Sequence, residues 1–301
     1  MNHLSSKRLK AEYGFTSLLT PDGYNPKLKK GRARGYSSAV LHLAPANLSG
    51  REVCHHRSKG CTLACLNTAG HGGIKLDAFG LNDVQRARIA RTNMFFDARQ
   101  AFFCQLVAAI ESHCRRAVKN GLTPVVRLNG TSDIDWEREG FIDPTGVEFS
   151  SIMARFPDVQ FYDYTKNPAR AMLSAYNALP ANYVLTFSRA ETRANNMACE
   201  NVLAAGGNVA VVFNICACKR ACKHEIPDIG LEYFGRRVVS GDHDDLRHLD
   251  PPGVVVGLKA KGRAKQDASG FVVDVRSELQ CARPVKPITT RARRPRAAVA
   301  A

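Results

Sequence analysis

Val159-Gln-Phe-Tyr-Asp-Tyr-Thr165, then Tyr183-Val-Leu-Thr-Phe-Ser188, then Asn208-Val-Ala-Val-Val-Phe213: these three short runs decide the fold class. Each is apolar and rich in β-branched or aromatic residues, as a strand buried on both faces must be. Between them lie helical stretches. Asn167-Pro168 caps and opens one that reaches about Ala178, and another runs to about Ala205 before Gly206-Gly207 stops it. Strands alternating with helices specify a parallel sheet covered by helices.

Working outward, the same alternation extends in both directions. Pro124-Val-Val-Arg-Leu-Asn129 and Val254-Val-Val-Gly-Leu258 read as strands, and Ala39-Val-Leu-His-Leu-Ala44 reads as the first. A helical pattern covers Asn82 to Lys119, capped by Asn82 or Asp83 and closed by Asn120-Gly121, with one helix or two left open. A further helical stretch is expected near Val147–Phe156. The fold class is α/β, a complete or partial (β/α) barrel with mostly parallel strands, or alternatively a doubly wound open sheet. The organisation is a basic N-terminal segment (residues 1–38), one α/β domain (39–282) with a cysteine loop near its start, and a disordered basic tail (283–301).

Composition narrows the class. The 301 residues are 45% hydrophobic and 23% charged, which suits a folded globular chain and excludes wholesale disorder. No apolar run is long enough for a membrane helix, and the basic opening leads into no apolar stretch, so the expected setting is the cytoplasm. The net charge of +16 is concentrated at the two ends, where it offers DNA or RNA phosphates a partner or simply keeps the chain soluble. No oligomeric state is legible.

Chemistry in parallel α/β folds collects at the carboxyl ends of the strands. Those ends read Asn129-Gly130-Thr131-Ser132-Asp133, Asp163-Tyr-Thr-Lys166, Ser188-Arg189-Ala-Glu191, Asn214 and Lys259-Ala-Lys261, all polar directly after apolar runs. One shared polar site is expected there.

Ten cysteines in a chain expected in the reducing cytoplasm argue for metal rather than disulfides. Cys54, Cys61 and Cys65 fall within twelve residues, followed by Gly70, Gly72 and Gly73. Three thiolates leave one position of a metal centre open: a ligand can take it on a four-iron cluster (4Fe-4S), and a histidine or water on zinc. His55, His56 and His71 are near enough to keep zinc in play, and a metal-free loop is the third option. Cys216, Cys218 and Cys222 form a secondary cluster whose spacing matches no standard motif. Gly241-Asp-His-Asp-Asp245 with Arg247 and His248 reads best as a solvated turn, with a hard-cation site or an acid/base pair as the alternative.

Several stretches together resemble the phage gene product 88 family. They are Leu43-Ala-Pro-Ala-Asn-Leu-Ser-Gly50, Gly60-Cys-Thr-Leu-Ala-Cys-Leu-Asn-Thr-Ala-Gly70, Pro124 to Asp133, Phe161-Tyr-Asp-Tyr-Thr-Lys166, Leu185-Thr-Phe-Ser188 and Val256-Gly-Leu-Lys-Ala-Lys-Gly262. The resemblance spans residues 40–275 and implies a mobile-element source, hence the host-cell cytoplasm, without specifying a chemistry.

More distantly, the chain is similar to radical S-adenosylmethionine (AdoMet) enzymes, which carry a three-cysteine loop after the first strand of a partial barrel. That similarity implies a cluster on Cys54, Cys61 and Cys65, a methionine amino group received at Asn129, Gly130, Thr131 and Ser132, and Ser188 and Arg189 facing the ribose or carboxylate. The cysteine spacings, six and three, depart from the usual three and two, and Ala64 stands where an aromatic is usual. The function expected is a phage iron–sulfur protein acting as an AdoMet-dependent radical enzyme on a nucleic acid or nucleotide. The alternative is a non-catalytic, zinc-stabilised nucleic-acid-binding protein.

Overall fold

The computed structural model describes residues 3–24, 26–215, 226 and 230–276. In chain order its helices are α1 (Ser6–Tyr13), α2 (Pro26–Lys30), α3 (Lys59–Leu63), α4 (Asp83–Asp97), α5 (Arg99–Lys119), α6 (Ile152–Arg155), α7 (Pro168–Ala175) and α8 (Arg193–Ala204). Its strands are β1 (Leu19–Pro21), β2 (Tyr36–Leu41), β3 (Thr123–Arg127), β4 (Phe141–Ile142), β5 (Glu148–Phe149), β6 (Gln160–Thr165), β7 (Tyr183–Ser188), β8 (Val209–Asn214), β9 (Glu232–Tyr233), β10 (Arg236–Ser240), β11 (Val255–Lys259) and β12 (Val273–Asp274). Apart from the β4–β5 hairpin they form one sheet, ordered β1-β2-β3-β6-β7-β8-β11-β10-β9, with β12 also on β8. The pairings from β2 through β10 are parallel, while β1 and β9 pair antiparallel at the two edges.

From β2 to β8 each strand lies beside the next in the chain, so every crossover steps the same way. With right-handed crossovers this places the intervening helices on one face, and the order reverses only beyond β8, where β11 lies between β8 and β10. The sheet does not close: β1 and β9 remain its edges, and among the described residues there is no complete barrel.

The helix-covered face carries Leu41, Val126, Leu128, Phe161 and Leu185 against Phe102, Phe103, Leu106 and Ile110 of α5. Farther along, Phe187, Val209, Val211 and Val255 meet Cys199, Val202 and Leu203 of α8. The other face is filled by residues 244–250: Leu246 packs on Val125 and Tyr162, and the His248 ring lies 5.3 Å from Tyr36 and 5.6 Å from Tyr162. Both faces are thus dry, which explains the continuous apolar strands.

Several expectations change. The long helical pattern is two helices, broken at Ala98 (φ −134°, ψ 51°). The stretch near Val147–Phe156 contains β5 and only the short α6. The first parallel strand ends at Leu41, so His42 to Ala44 already belong to the loop above it. The basic segment before residue 39 is folded onto the sheet, with Leu9, Phe15, Leu18, Leu19 and Leu28 buried. Much of its charge is spent internally: Arg32 pairs with Asp22 at 2.7 Å, Lys27 with Asp245 at 2.8 Å and Arg34 with Asp244 at 2.9 Å. The tail 283–301 lies outside the described residues.

The turn expected to be solvated at 241–245 is instead interior. Asp244, Asp245 and Arg247 are buried. Asp245 accepts from Arg127 Nη1 at 3.1 Å and pairs with Lys27, while Arg247 pairs with Asp244 at 3.2 Å and Asp250 at 3.0 Å. Charged residues that look exposed in a sequence can be buried when each brings a counter-charge.

Candidate functional site

The cysteine loop hangs above the carboxyl end of β2 and is shaped by two carboxylates. Glu52 accepts from the Cys54 N–H at 2.7 Å and holds Arg57 at 2.9 Å. Glu191, just past β7, accepts from Ser58 Oγ at 2.6 Å and from the Gly60 N–H at 2.8 Å, tying the start of α3 to the sheet. Ser58 in turn accepts from the Cys61 N–H at 3.0 Å. Gly60 is required by crowding: a Cβ there would lie 2.3 Å from Ser269 Oγ and 2.7 Å from Phe271 Cβ. Beyond Cys65, Asn67 accepts from the buried Arg88 at 2.6 Å, and Gly72 and Gly73 fold back so tightly that a Cβ would meet carbonyl oxygens of Asn67 and Thr68.

Cys54 receives the Ala46 N–H on its sulfur at 3.4 Å and faces the Thr131 carbonyl at 3.9 Å. Cys61 packs on an apolar layer of Ala64, Ala190, Ala260, Ala264, Phe271 and Val272, supplied partly by the ends of β7 and β11. The three sulfurs share one neighbourhood, since Cys54 feels both Cys61 and Cys65, and Cys65 feels Cys61. Burial pushes the Cys54 thiol up to about 12 and raises Cys61 and Cys65 as well, with the Lys166 ammonium opposing the rise at Cys61. In the metal-free chain all three are therefore neutral thiols, and a cation would have to displace their protons.

Among the described residues, no three His, Cys, Asp or Glu side chains are placed to share one metal ion. A single zinc would need its sulfurs roughly 3.8 Å apart, the edge of a tetrahedron with ~2.3 Å bonds. A four-iron cluster takes its thiolates one from each of separate corners, and cysteine is the donor type it uses. Cys216, Cys218 and Cys222 lie outside the described residues.

The strand-end residues divide into framework and mouth. Asn129 is buried, and its Oδ1 accepts from Ser132 Oγ, the Ile134 N–H and Trp136 Nε1 at 2.8–3.1 Å, so its side chain shapes the turn it begins. Gly130 passes so close to β2 that a Cβ would sit 2.6 Å from the Leu41 carbonyl, and Thr131 Oγ1 donates to the Leu43 carbonyl at 2.5 Å. Arg189 is committed to the Gly270 and Phe271 carbonyls at 2.6 and 3.0 Å and to Asn196 at 3.1 Å. Asp163, expected at the mouth, is wholly buried on the helix side. It accepts from the Asn129 N–H at 2.6 Å and from Tyr183 at 3.0 Å, and burial pushes its carboxyl up to about 7.

Asp133, Lys166, Ser188 and Glu191 do converge. Asp133 accepts from the Lys166 N–H at 2.8 Å and pairs with Arg170 at 3.0 Å. Lys166 Nζ donates to Ser188 Oγ at 2.8 Å, the Ser188 carbonyl at 3.2 Å and the Arg189 carbonyl at 3.1 Å, above the Phe271 ring. With three acceptors the ammonium is fully used, although burial lowers its pKa.

Sequence reasoning missed Arg170, which binds Asp133, Asp135 and Glu137 from a position 1% exposed and locks the 130–137 turn to α7. A lone arginine on a helix ordinarily faces solvent, and only the three carboxylates that lie far from it in the chain could have signalled otherwise.

The family model described as gene product 88 matches residues 17–275. The chain belongs to the gene product 88 family. The match begins ahead of β1 and ends just past β12, so it takes in the cysteine loop and every strand end around it. No curated protein and no solved structure matches the chain. Among the described residues, no helix is long and apolar enough to cross a membrane.

Proposed function

We propose that this gene product 88 protein is an iron–sulfur enzyme whose cluster is held by Cys54, Cys61 and Cys65 and whose cosubstrate is AdoMet. The observation that carries the reading is the seating of the loop: Cys54 lies against Thr131 past β3, and Cys61 lies against Ala190 and Ala260 past β7 and β11. Two thiols of one loop thus meet the carboxyl ends of several parallel strands, where α/β folds keep their chemistry, and Cys65 lies in the neighbourhood of Cys61.

When bound, such a cluster supplies single electrons to a ligand at its open iron. The chain's own residues do the rest. Glu191 and Glu52 fix the loop before any metal arrives. Lys166, buried beside Cys61, favours the thiolate over the thiol. The apolar layer around Phe271 covers one side of Cys61 and limits its contact with water there. The 130–133 turn, rigid through Asn129 and Arg170, presents its backbone to a ligand. The nucleotide or nucleic-acid substrate of this reading rests on the basic balance of the chain.

Anaerobic purification tests it. A brown protein containing iron and sulfide, whose colour is lost in Cys61→Ala, is expected, with methionine and 5′-deoxyadenosine released from AdoMet under reducing conditions. A colourless protein with stoichiometric zinc would replace this reading with a structural metal, and a coloured protein that leaves AdoMet intact would remove the enzyme and keep the cluster.

A further inference from the structure

Away from the cysteine loop, a cavity of about 670 Å³ opens at the seam where β10 faces the segment between α2 and β2. One wall carries Lys30 and Arg34, the other Arg237 and His243, and Arg247 lines it from the interior. Lys30 and Arg237 are exposed. Arg247 is buried, and its Nε has no hydrogen-bond partner. A buried guanidinium N–H without an acceptor is costly, because it has lost water and gained nothing.

Two carboxylates, Asp244 and Asp250, share the lining. They hold the arginines in place without cancelling them: Asp244 lies 2.9 Å from Arg34 and 3.2 Å from Arg247, and Asp250 lies 3.0 Å from Arg247. Lys30, Arg34, Arg237 and Arg247 outnumber them two to one. Guanidinium forks on facing walls, with an ammonium beside them, match the tetrahedral oxygens of a phosphate. A cavity of this size takes a ligand as large as a mononucleotide.

We propose that this seam is a phosphate-binding site for a small phosphate-bearing ligand, separate from the cysteine centre. None of its lining residues belongs to that centre, so the two readings stand or fall independently. Lys30 and Arg237 close on the phosphate from opposite walls, and Arg247 anchors it from below.

The full-length protein should be titrated with inorganic phosphate, a nucleoside monophosphate and a single-stranded oligonucleotide, with chloride as the reference at constant ionic strength. Saturable phosphate binding is expected, weakened at least about tenfold in the Lys30→Ala, Arg237→Ala double variant. Both side chains are exposed, so the unliganded variant should melt with the wild type. Tighter binding of the monophosphate would identify a nucleotide as the source of the phosphate, and equal binding would identify phosphate itself. No saturation above chloride, unchanged affinity in the double variant, or binding of the oligonucleotide alone would each overturn the site.

Discussion

The loop of Cys54 to Cys65 and the segment 241–250 look alike as sequence, each a polar, potentially metal-ligating stretch close behind an apolar strand, yet they end in opposite circumstances. Residues 244–250 turn inward and find counter-charges: Asp245 meets Lys27 and Arg127, and Arg247 meets Asp244 and Asp250. The cysteine loop is held just as firmly, by Glu52 and Glu191, but its half-buried sulfurs remain neutral thiols, with the Lys166 ammonium opposing the rise only in part at Cys61. Groups already satisfied within the chain build the fold. Groups that are positioned yet left chemically incomplete are the ones available to a ligand. The seam at Arg247 lies between these extremes, anchored on one side and short of an acceptor on the other.

This contrast can be broken by substitution, most severely on the satisfied side. Asp245→Ala removes the buried carboxylate that Lys27 and Arg127 share and should cost about 3–5 kcal/mol in urea unfolding. A loss below about 1 kcal/mol would show that water already reaches that cluster. Next comes Asp163. Its carboxyl is pushed up to about 7, above the ordinary unfolded value near 4, so between those pH values the folded protein holds a proton that the unfolded chain has released. Its contribution is therefore complete below about pH 4 and declines as pH rises through 7. Asp163→Asn should flatten that part of the stability profile, and an unchanged slope in paired denaturation curves at pH 4.5 and 7.5 would refute the assignment.

Glu191→Ala removes two acceptors from the cysteine loop. A cost of about 1–3 kcal/mol is expected from the orphaned Gly60 N–H and Ser58 hydroxyl, together with a larger fractional loss of bound iron. Iron retained in full would mean the loop is shaped by its metal and not beforehand. Smallest of all, Cys61→Ser should change metal-free stability by less than about 1 kcal/mol while abolishing the chromophore. A large loss of metal-free stability would make that cysteine a core residue.

Local patterns were legible wherever one element's own residues sufficed. Asn82 and Asn167 cap α4 and α7 as their spacing predicts, and the buried runs of β6, β7 and β8 are strands. The polar strand ends were legible as a group but not individually. Nothing local distinguishes Asp133 at the mouth from Asp163 behind the sheet: β3 ends at Arg127 and leaves Asp133 in the loop above it, whereas β6 runs on to Thr165 and keeps Asp163 within the sheet. The short edge strands and the docking of the N-terminal segment were also illegible, since their partners lie far away in the chain.

The chain alone determined that this is an α/β protein, where its parallel strands run, and that three cysteines follow the first of them. Those are properties of short windows, governed by side-chain periodicity and backbone preference. Only the tertiary structure decided that the sheet stays open, that residues 244–250 fill its uncovered face, and which charges cancel. Cancellation needs two groups within a few ångströms, and for Lys27 with Asp245, or Gly60 with Glu191, that meeting follows from packing over more than a hundred residues of separation.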